Sequence, residues 1–364
     1  MHIPDGYLSP STCAVLYGAA IPFWYGAFAR VKRLLNTRLV PLLAVASAFS
    51  FVIMMFNIPL PGGTTGHAVG VGAATVVLGP WASMLSLSVA LLIQALFFGD
   101  GGITTLGANC FNMAIVGSLV AYLVYRLVAG RTALTSSRRV IAGALAGYAA
   151  INASALCTAC ELGIQPLFFK DATGAPLYAP YALHVAIPAM MIGHLTFAGL
   201  AELFVSGGVV AYLQRTNPAL LTHSYLAQVI RDGEPRQPSS KSDWGLAAPL
   251  WIRLALLMLL TPLGILAAGA AWGEWNARDF ASPERRQKIA AASGNVAPPA
   301  QQPQGLERLS TLWSAPFPQY APPFVRQPAF GYVMSAMFGS GLILGIFCLI
   351  GWLGQTGSST RGSP

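Results

Sequence analysis

Charged side chains are scarce in this sequence: Asp, Glu, Lys and Arg make up 9% of its 364 residues, while 55% are apolar and the mean hydropathy is +0.59. No soluble domain of this length could solvate such a composition, so the chain is read as an all-α polytopic membrane protein. The formal charge of +9 would point to nucleic acid in a soluble chain. Here Lys and Arg fall mainly in short gaps between apolar runs, where they report orientation, and no nucleic-acid partner is expected. A disulfide framework is also missing. Cys13, Cys110, Cys157, Cys160 and Cys348 all lie in apolar runs and read as small buried side chains. Cys157 and Cys160 form a CxxC, but no second pair or redox-type context accompanies it. None of the four lysines follows a GxxxxG phosphate-cradling loop, which excludes ATP hydrolysis by that route. HExxH is absent too, and with it the commonest zinc-protease signature. The start has no signal-peptide pattern: His2, Pro4, Asp5 and Gly6 precede any apolar segment, so the first residues are expected to stay on the chain.

What is present is a series of apolar runs near the roughly 20 residues that a bilayer crossing needs. They cover 12–30, 39–57, 62–79, 81–98, 106–129, 139–160, 181–213, 248–271 and 329–354. The third and fourth are separated only by Gly79-Pro80. Parity requires a break there, because the gap with Lys32, Arg33 and Arg38 and the gap with Arg131, Arg138 and Arg139 should both be cytoplasmic. The N-terminus, residues 58–66 and the loop at Asp100 then face outward, and the C-terminus faces the cytoplasm. Residues 214–247 are polar, carry Arg215, Arg231, Arg236 and Lys241, and read as a cytoplasmic linker closing a first domain, 1–213. A second domain, 248–364, has two spans around a polar external segment, 273–327. Its middle, SGNVAPPAQQPQ, is too poor in aromatics to build a core, and disorder is expected there.

The amino terminus carries metal donors irrespective of any family. Initiator Met is trimmed mainly before small residues, so Met1 should persist ahead of the large His2. The Met1 amine, the deprotonated His2 amide and His2 Nδ1 can wrap one ion in fused chelate rings. A fourth nitrogen would complete a square plane, which suits Ni(II) or Cu(II) better than Zn(II), Mg(II) or Ca(II). His67, in PGGTTGHAVGVG at the external end of the third expected span, is the candidate fourth donor. The surrounding glycines also permit close helix packing. Asp5 and Asn109 could hydrogen-bond the ligands and orient the imidazoles, or serve simply as a turn residue and a helix cap. His194 and Glu202, eight residues apart on one broad helix face, are read as packing or coupling residues. His184 and His223 read as ordinary residues at span ends.

MHIPDGYLSP at the start, GGTTGHAVGVGAA around His67 and HLTFAGLAE at 194–202 resemble the CbiM/NikM family, the nickel/cobalt substrate-binding components of energy-coupling-factor transporters. AWGEW at 271–275 and PQGLERLSTLWSAPFPQYAPP at 303–323 resemble NikN, the small PDGLE-type partner of the nickel systems, here fused behind the first domain. Where that family reads PDGLE, this chain has Pro303-Gln304-Gly305-Leu306-Glu307, which lacks the Asp. The resemblance implies a bundle of about seven helices followed by two more. It implies Met1, His2 and His67 as ligands of a transported Ni(II), with Co(II) the alternative. It also implies a capture subunit in a prokaryotic cytoplasmic membrane that works with a separate transmembrane coupling protein and cytoplasmic ATP-binding-cassette ATPases. An intramembrane metalloenzyme would need three closed ligands and an open position. A self-sufficient secondary transporter would be expected to show two similar halves, and the basic loops show no such duplication. The chain is therefore not expected to be an enzyme.

Overall fold

The computed structural model of the chain describes residues 1–35, 40–221, 243–267 and 269–359. His223, Arg38, Arg231, Arg236 and Lys241 lie outside them, as does most of the expected linker. Helix α1 spans Pro10–Leu35 and α2 Val40–Met54, followed by a short antiparallel hairpin of β1 (Ile58–Leu60) and β2 (Thr64–Gly66). Next come α3 (Val71–Ile93), α4 (Leu106–Asn109) with α5 (Gly117–Ala129), α6 (Ser137–Phe168), and α7 (Leu183–Gly193) with α8 (Gly199–Thr216). The C-terminal part adds α9 (Asp243–Leu260), three short helices, α10 (Ala277–Ala281), α11 (Pro283–Ala292) and α12 (Gln304–Leu309), and a last long helix, α13 (Pro328–Ser359). Seven of the described helical segments are long and apolar enough to cross a membrane, and α2 is a shorter apolar helix.

The outward faces are apolar. Val15, Leu123, Leu127, Phe204 and Leu256 are each more than half exposed, as expected where the surrounding medium is hydrocarbon rather than water. The inward faces carry small residues. Ala142, Ala146 and Ala150 of α6 are fully buried, and Gly143 and Gly147 of the same helix meet Val210 and Ser206 of α8 closely, so backbones approach and dispersion contacts accumulate.

The region from 62 to 98 corrects one expected span and supports the expected break. Residues 62–79 do not form a crossing helix: the glycine-rich stretch disfavours helix, and β2 and a loop occupy it up to Gly70. Helix α3 is broken at Gly79, whose φ of 74° and ψ of 168° lie far from helical values. Such a positive φ is open to glycine and strained for other residues, and Pro80 behind it removes a helical donor. Thr75 and Ser83 would be about 12 Å apart along an unbroken helix, yet their hydroxyls hydrogen-bond at 3.0 Å. The two arms therefore fold back on each other. The first, Val71–Leu78, is only eight residues, while the second continues through a π-helical turn, Gln94–Phe98, to Asp100.

The segment expected to be disordered is instead seated on other elements. Trp272 donates to the Ser293 hydroxyl (3.1 Å), Tyr181 donates to the Val296 carbonyl (3.0 Å) and Arg286 donates to that of Ala300 (3.3 Å). Its own composition builds no core, but Trp272, Trp275 and Phe280 supply one together with Tyr181 of the first half.

Candidate metal site

The first nine residues run into the end of the bundle rather than away from it. Met1, His2 and Ile3 are 3%, 2% and 0% exposed. Asn109, at the end of α4, clamps Ile3 from both sides: its Oδ1 accepts the Ile3 amide (2.8 Å) and its Nδ2 donates to the Ile3 carbonyl (3.0 Å). The Thr105 hydroxyl donates to the same carbonyl. Asp5 accepts the amides of Ile103 (3.1 Å) and Thr104 (2.7 Å) and the Thr104 hydroxyl. Neither Asp5 nor Asn109 bonds an imidazole. Both fix backbone beside His2, because their short side chains meet amides before they could reach a ring. Replacing Asn109 with Ala should leave the buried Ile3 amide unpaired and destabilise this segment by about 2 kcal/mol, read as a lower Tm and weaker metal binding.

His67 sits in the loop between β2 and α3, 7% exposed, and its ring meets that of His2 edge to face with centroids 5.1 Å apart. Its Nδ1 lies 3.0 Å from the Ala68 carbonyl. A carbonyl can only accept, so Nδ1 carries the proton and Nε2 keeps a free lone pair. His2 is held differently. Its Nδ1 is 3.1 Å from the Asp100 carboxylate and 3.3 Å from the Asp100 carbonyl, while Nε2 is buried with no hydrogen-bond partner. Gly101, at φ 82°, lets this loop come so close that a Cβ there would lie 2.9 Å from Asn109 Nδ2 and 3.4 Å from His2 Nδ1. Burial pushes both imidazoles down, His2 to about 4 with help from the adjacent N-terminal charge, and His67 to about 3 with help from His2 and that charge. Both rings are thus neutral at pH 7, the form that ligates metals.

Two carboxylates that the sequence did not single out touch the candidate donors. Asp100 meets His2, and Glu274 Oε1 lies 3.3 Å from the Met1 amine. Asp100 is in turn held by Tyr320 (2.5 Å) and Gln94 (3.4 Å). Glu274 and Tyr320 belong to the C-terminal part, which packs against the N-terminal segment and the loop at Leu177: Tyr7 donates to the Trp275 carbonyl (2.6 Å), and the Gly305 amide donates to that of Leu177 (2.7 Å). A cavity of about 480 Å³ remains, bounded by His67, Asp100, Glu274, Leu306 and Tyr320. In the altered Pro303-Gln304-Gly305-Leu306-Glu307 stretch, Leu306 is buried and Gln304 and Glu307 are exposed, so the stretch docks through Leu306. Among the described residues no three His, Cys, Asp or Glu side chains gather as a metal cluster. His194 donates within its own helix to Met190 (2.8 Å), and His184 is exposed. The described cysteines are all free thiols.

Residues 2–220 match the CbiM family, the cobalt uptake substrate-specific transmembrane region, and residues 248–356 match the PDGLE domain. The chain belongs to the CbiM family. It is 56% identical, over 94% of its length and 95% of the relative's, to the fused nickel transport protein NikMN of Rhodobacter capsulatus. It is 39% identical, over 93% of each chain, to the probable fused nickel transport protein LarMN of Lactiplantibacillus plantarum. Among solved structures, a truncated transition metal transporter is 53% identical and matches with a TM-score of 0.55, covering 59% of this chain and 99% of that one. Membership of the CbiM family makes this chain a multi-pass metal-transport component rather than an enzyme.

Proposed function

We propose that the chain captures Ni(II) at the external face of a prokaryotic cytoplasmic membrane, as the substrate-binding component of an energy-coupling-factor importer. The donors are the Met1 amine, the His2 amide nitrogen, His2 Nδ1 and His67 Nε2. Residues 1–213 form the capturing domain, 214–247 a cytoplasmic linker and 248–364 the fused partner. A separate transmembrane coupling protein and cytoplasmic ATPases would supply the energy. The observation that carries this reading is the convergence of two buried neutral imidazoles beside the chain's own amine. Four nitrogens in a plane favour nickel over zinc or magnesium, and the nickel transport relatives favour it over cobalt. In the structure the Met1 amine faces Glu274 and His2 Nδ1 faces Asp100. The ion must take both donors from those carboxylates.

The test is to purify the chain with a native N-terminus and identify the metal that copurifies. A yellow, diamagnetic nickel species is expected, and a zinc-loaded protein would overturn the reading. Uptake by cells should also require ATPases supplied as other polypeptides.

Two further outcomes follow from the donor set. Metal binding displaces the proton of the His2 amide, so nickel affinity should rise with pH between 6 and 8, about tenfold per unit for that proton. The imidazoles, already neutral there, add nothing to that slope. A pH-independent affinity by competition titration would remove the His2 amide nitrogen from the site. A chain ending at Leu213 retains all four proposed donors and should still bind nickel, yet transport it poorly. Loss of binding in that shortened chain would move part of the site into the C-terminal half.

A further inference from the structure

We infer that Glu202 is a positioning residue that holds the His67 loop in place for metal capture. This rests on the assignment of His67 as a ligand and goes beyond it, since Glu202 is itself no ligand. Glu202, in the first turn of α8, is completely buried. No cationic side chain among the described residues pairs with it. Its carboxylate instead gathers the loop that follows His67. Oε2 accepts the amides of Val69 (2.7 Å) and Gly70 (2.8 Å), and Oε1 accepts the amide of Gly72 (3.2 Å) and the hydroxyl of Ser206 (2.9 Å). Ser206 Oγ accepts the next amide, from Ala73 (3.1 Å).

The amides of Gly70, Gly72 and Ala73 are among the donors left without a helical partner at the start of α3, whose N-cap, Gly70, has no side chain to satisfy them. An anion is favoured at this end of a helix, and an acceptor with two oxygens can serve three converging N–H groups where an amide side chain cannot. His67 is only two residues upstream, and its ring is turned by its own bond to the Ala68 carbonyl. The bonds from α8 therefore fix where Nε2 stands relative to His2.

Glu202→Gln keeps the volume but points an NH2 donor at N–H donors. It is expected to weaken nickel binding by about 10- to 100-fold, the range typical when a ligand's supporting partner is lost. Its nickel absorption spectrum should match that of His67→Ala, because in both variants the fourth nitrogen is missing. The decisive measurement is the pair. With His67→Ala as background, Glu202→Gln should cause no further loss, whereas a residue that merely stabilises the bundle would subtract the same factor in either background. Wild-type affinity and spectrum in Glu202→Gln, or losses that add fully, overturn the inference. Should Glu202→Gln fail to accumulate in the membrane, Ser206→Ala applies the same test more gently. A smaller loss, again absent in the His67→Ala background, is expected, and an additive one overturns the inference. If His67→Ala alone binds nickel like the wild type, the ligand assignment falls instead, which is a separate result.

Discussion

A peptide placed ahead of Met1 is expected to abolish nickel binding, whereas the same peptide after Pro364 should leave it intact. The α-amine is replaced by an amide, whose lone pair is delocalised, and the first chelate ring loses its terminal donor. Burial adds a second obstacle. Met1 is 3% exposed and its amine faces Glu274, so extra residues ahead of it have no room where it sits. No side chain of the site is altered, which separates this outcome from that of a simple two-histidine site. A Leu inserted after Met1 sharpens the contrast. Met-Leu-His keeps its Met and moves the imidazole to position 3, where the chain's own four nitrogens could fill the plane and exclude His67. Nickel stoichiometry and ATP-driven uptake, measured with the N-terminus verified by mass spectrometry, decide the matter. Undiminished uptake with the extension still in place would dismiss the amine as a ligand.

His67→Ala should reduce nickel affinity by more than roughly 100-fold, since even the partners of ligands are worth 10- to 100-fold, while membrane insertion is unaffected. The loop that carries His67 is held by Glu202 through main-chain amides, so its backbone does not depend on the imidazole. The empty volume would join the existing cavity rather than open a new void in the core. The measurement is uptake beside the protein level in the membrane. A variant that accumulates nickel at the wild-type rate would leave the fourth position to another group.

The parts of this molecule that were legible in the sequence are those set by local pattern. Long apolar runs gave most of the spans, Gly79-Pro80 gave the break in α3, and the proposed donors of residues 1 and 2 are adjacent by covalent structure. What stayed hidden depends on pairing across the chain. The expected span at 62–79 overlooked how strongly Gly62, Gly63, Gly66 and Gly70 oppose helix, because hydropathy registers apolar character and not backbone entropy. Glu274 and Tyr320 flank the stretch 293–304, whose composition builds no core, yet Trp272 and Tyr181 seat that stretch through Ser293 and Val296. Glu202 offered a signal, a carboxylate inside a membrane helix, but nothing in its neighbourhood along the sequence identified amides 130 residues away as its partners.

The contact between Met1 and Glu274 also has a consequence in time. Ribosomes add about 5–20 residues per second, so roughly 14–55 s separate synthesis of the first residue from that of the carboxylate that meets it. Throughout that interval the amine, the imidazole of His2 and the loop bearing His67 exist without Glu274, Tyr320 or the rest of their cover. On the proposed donor set, each nascent chain presents its nickel donors before the C-terminal half that covers them is made, so the order of synthesis sets whether a molecule can meet its first metal ion uncovered.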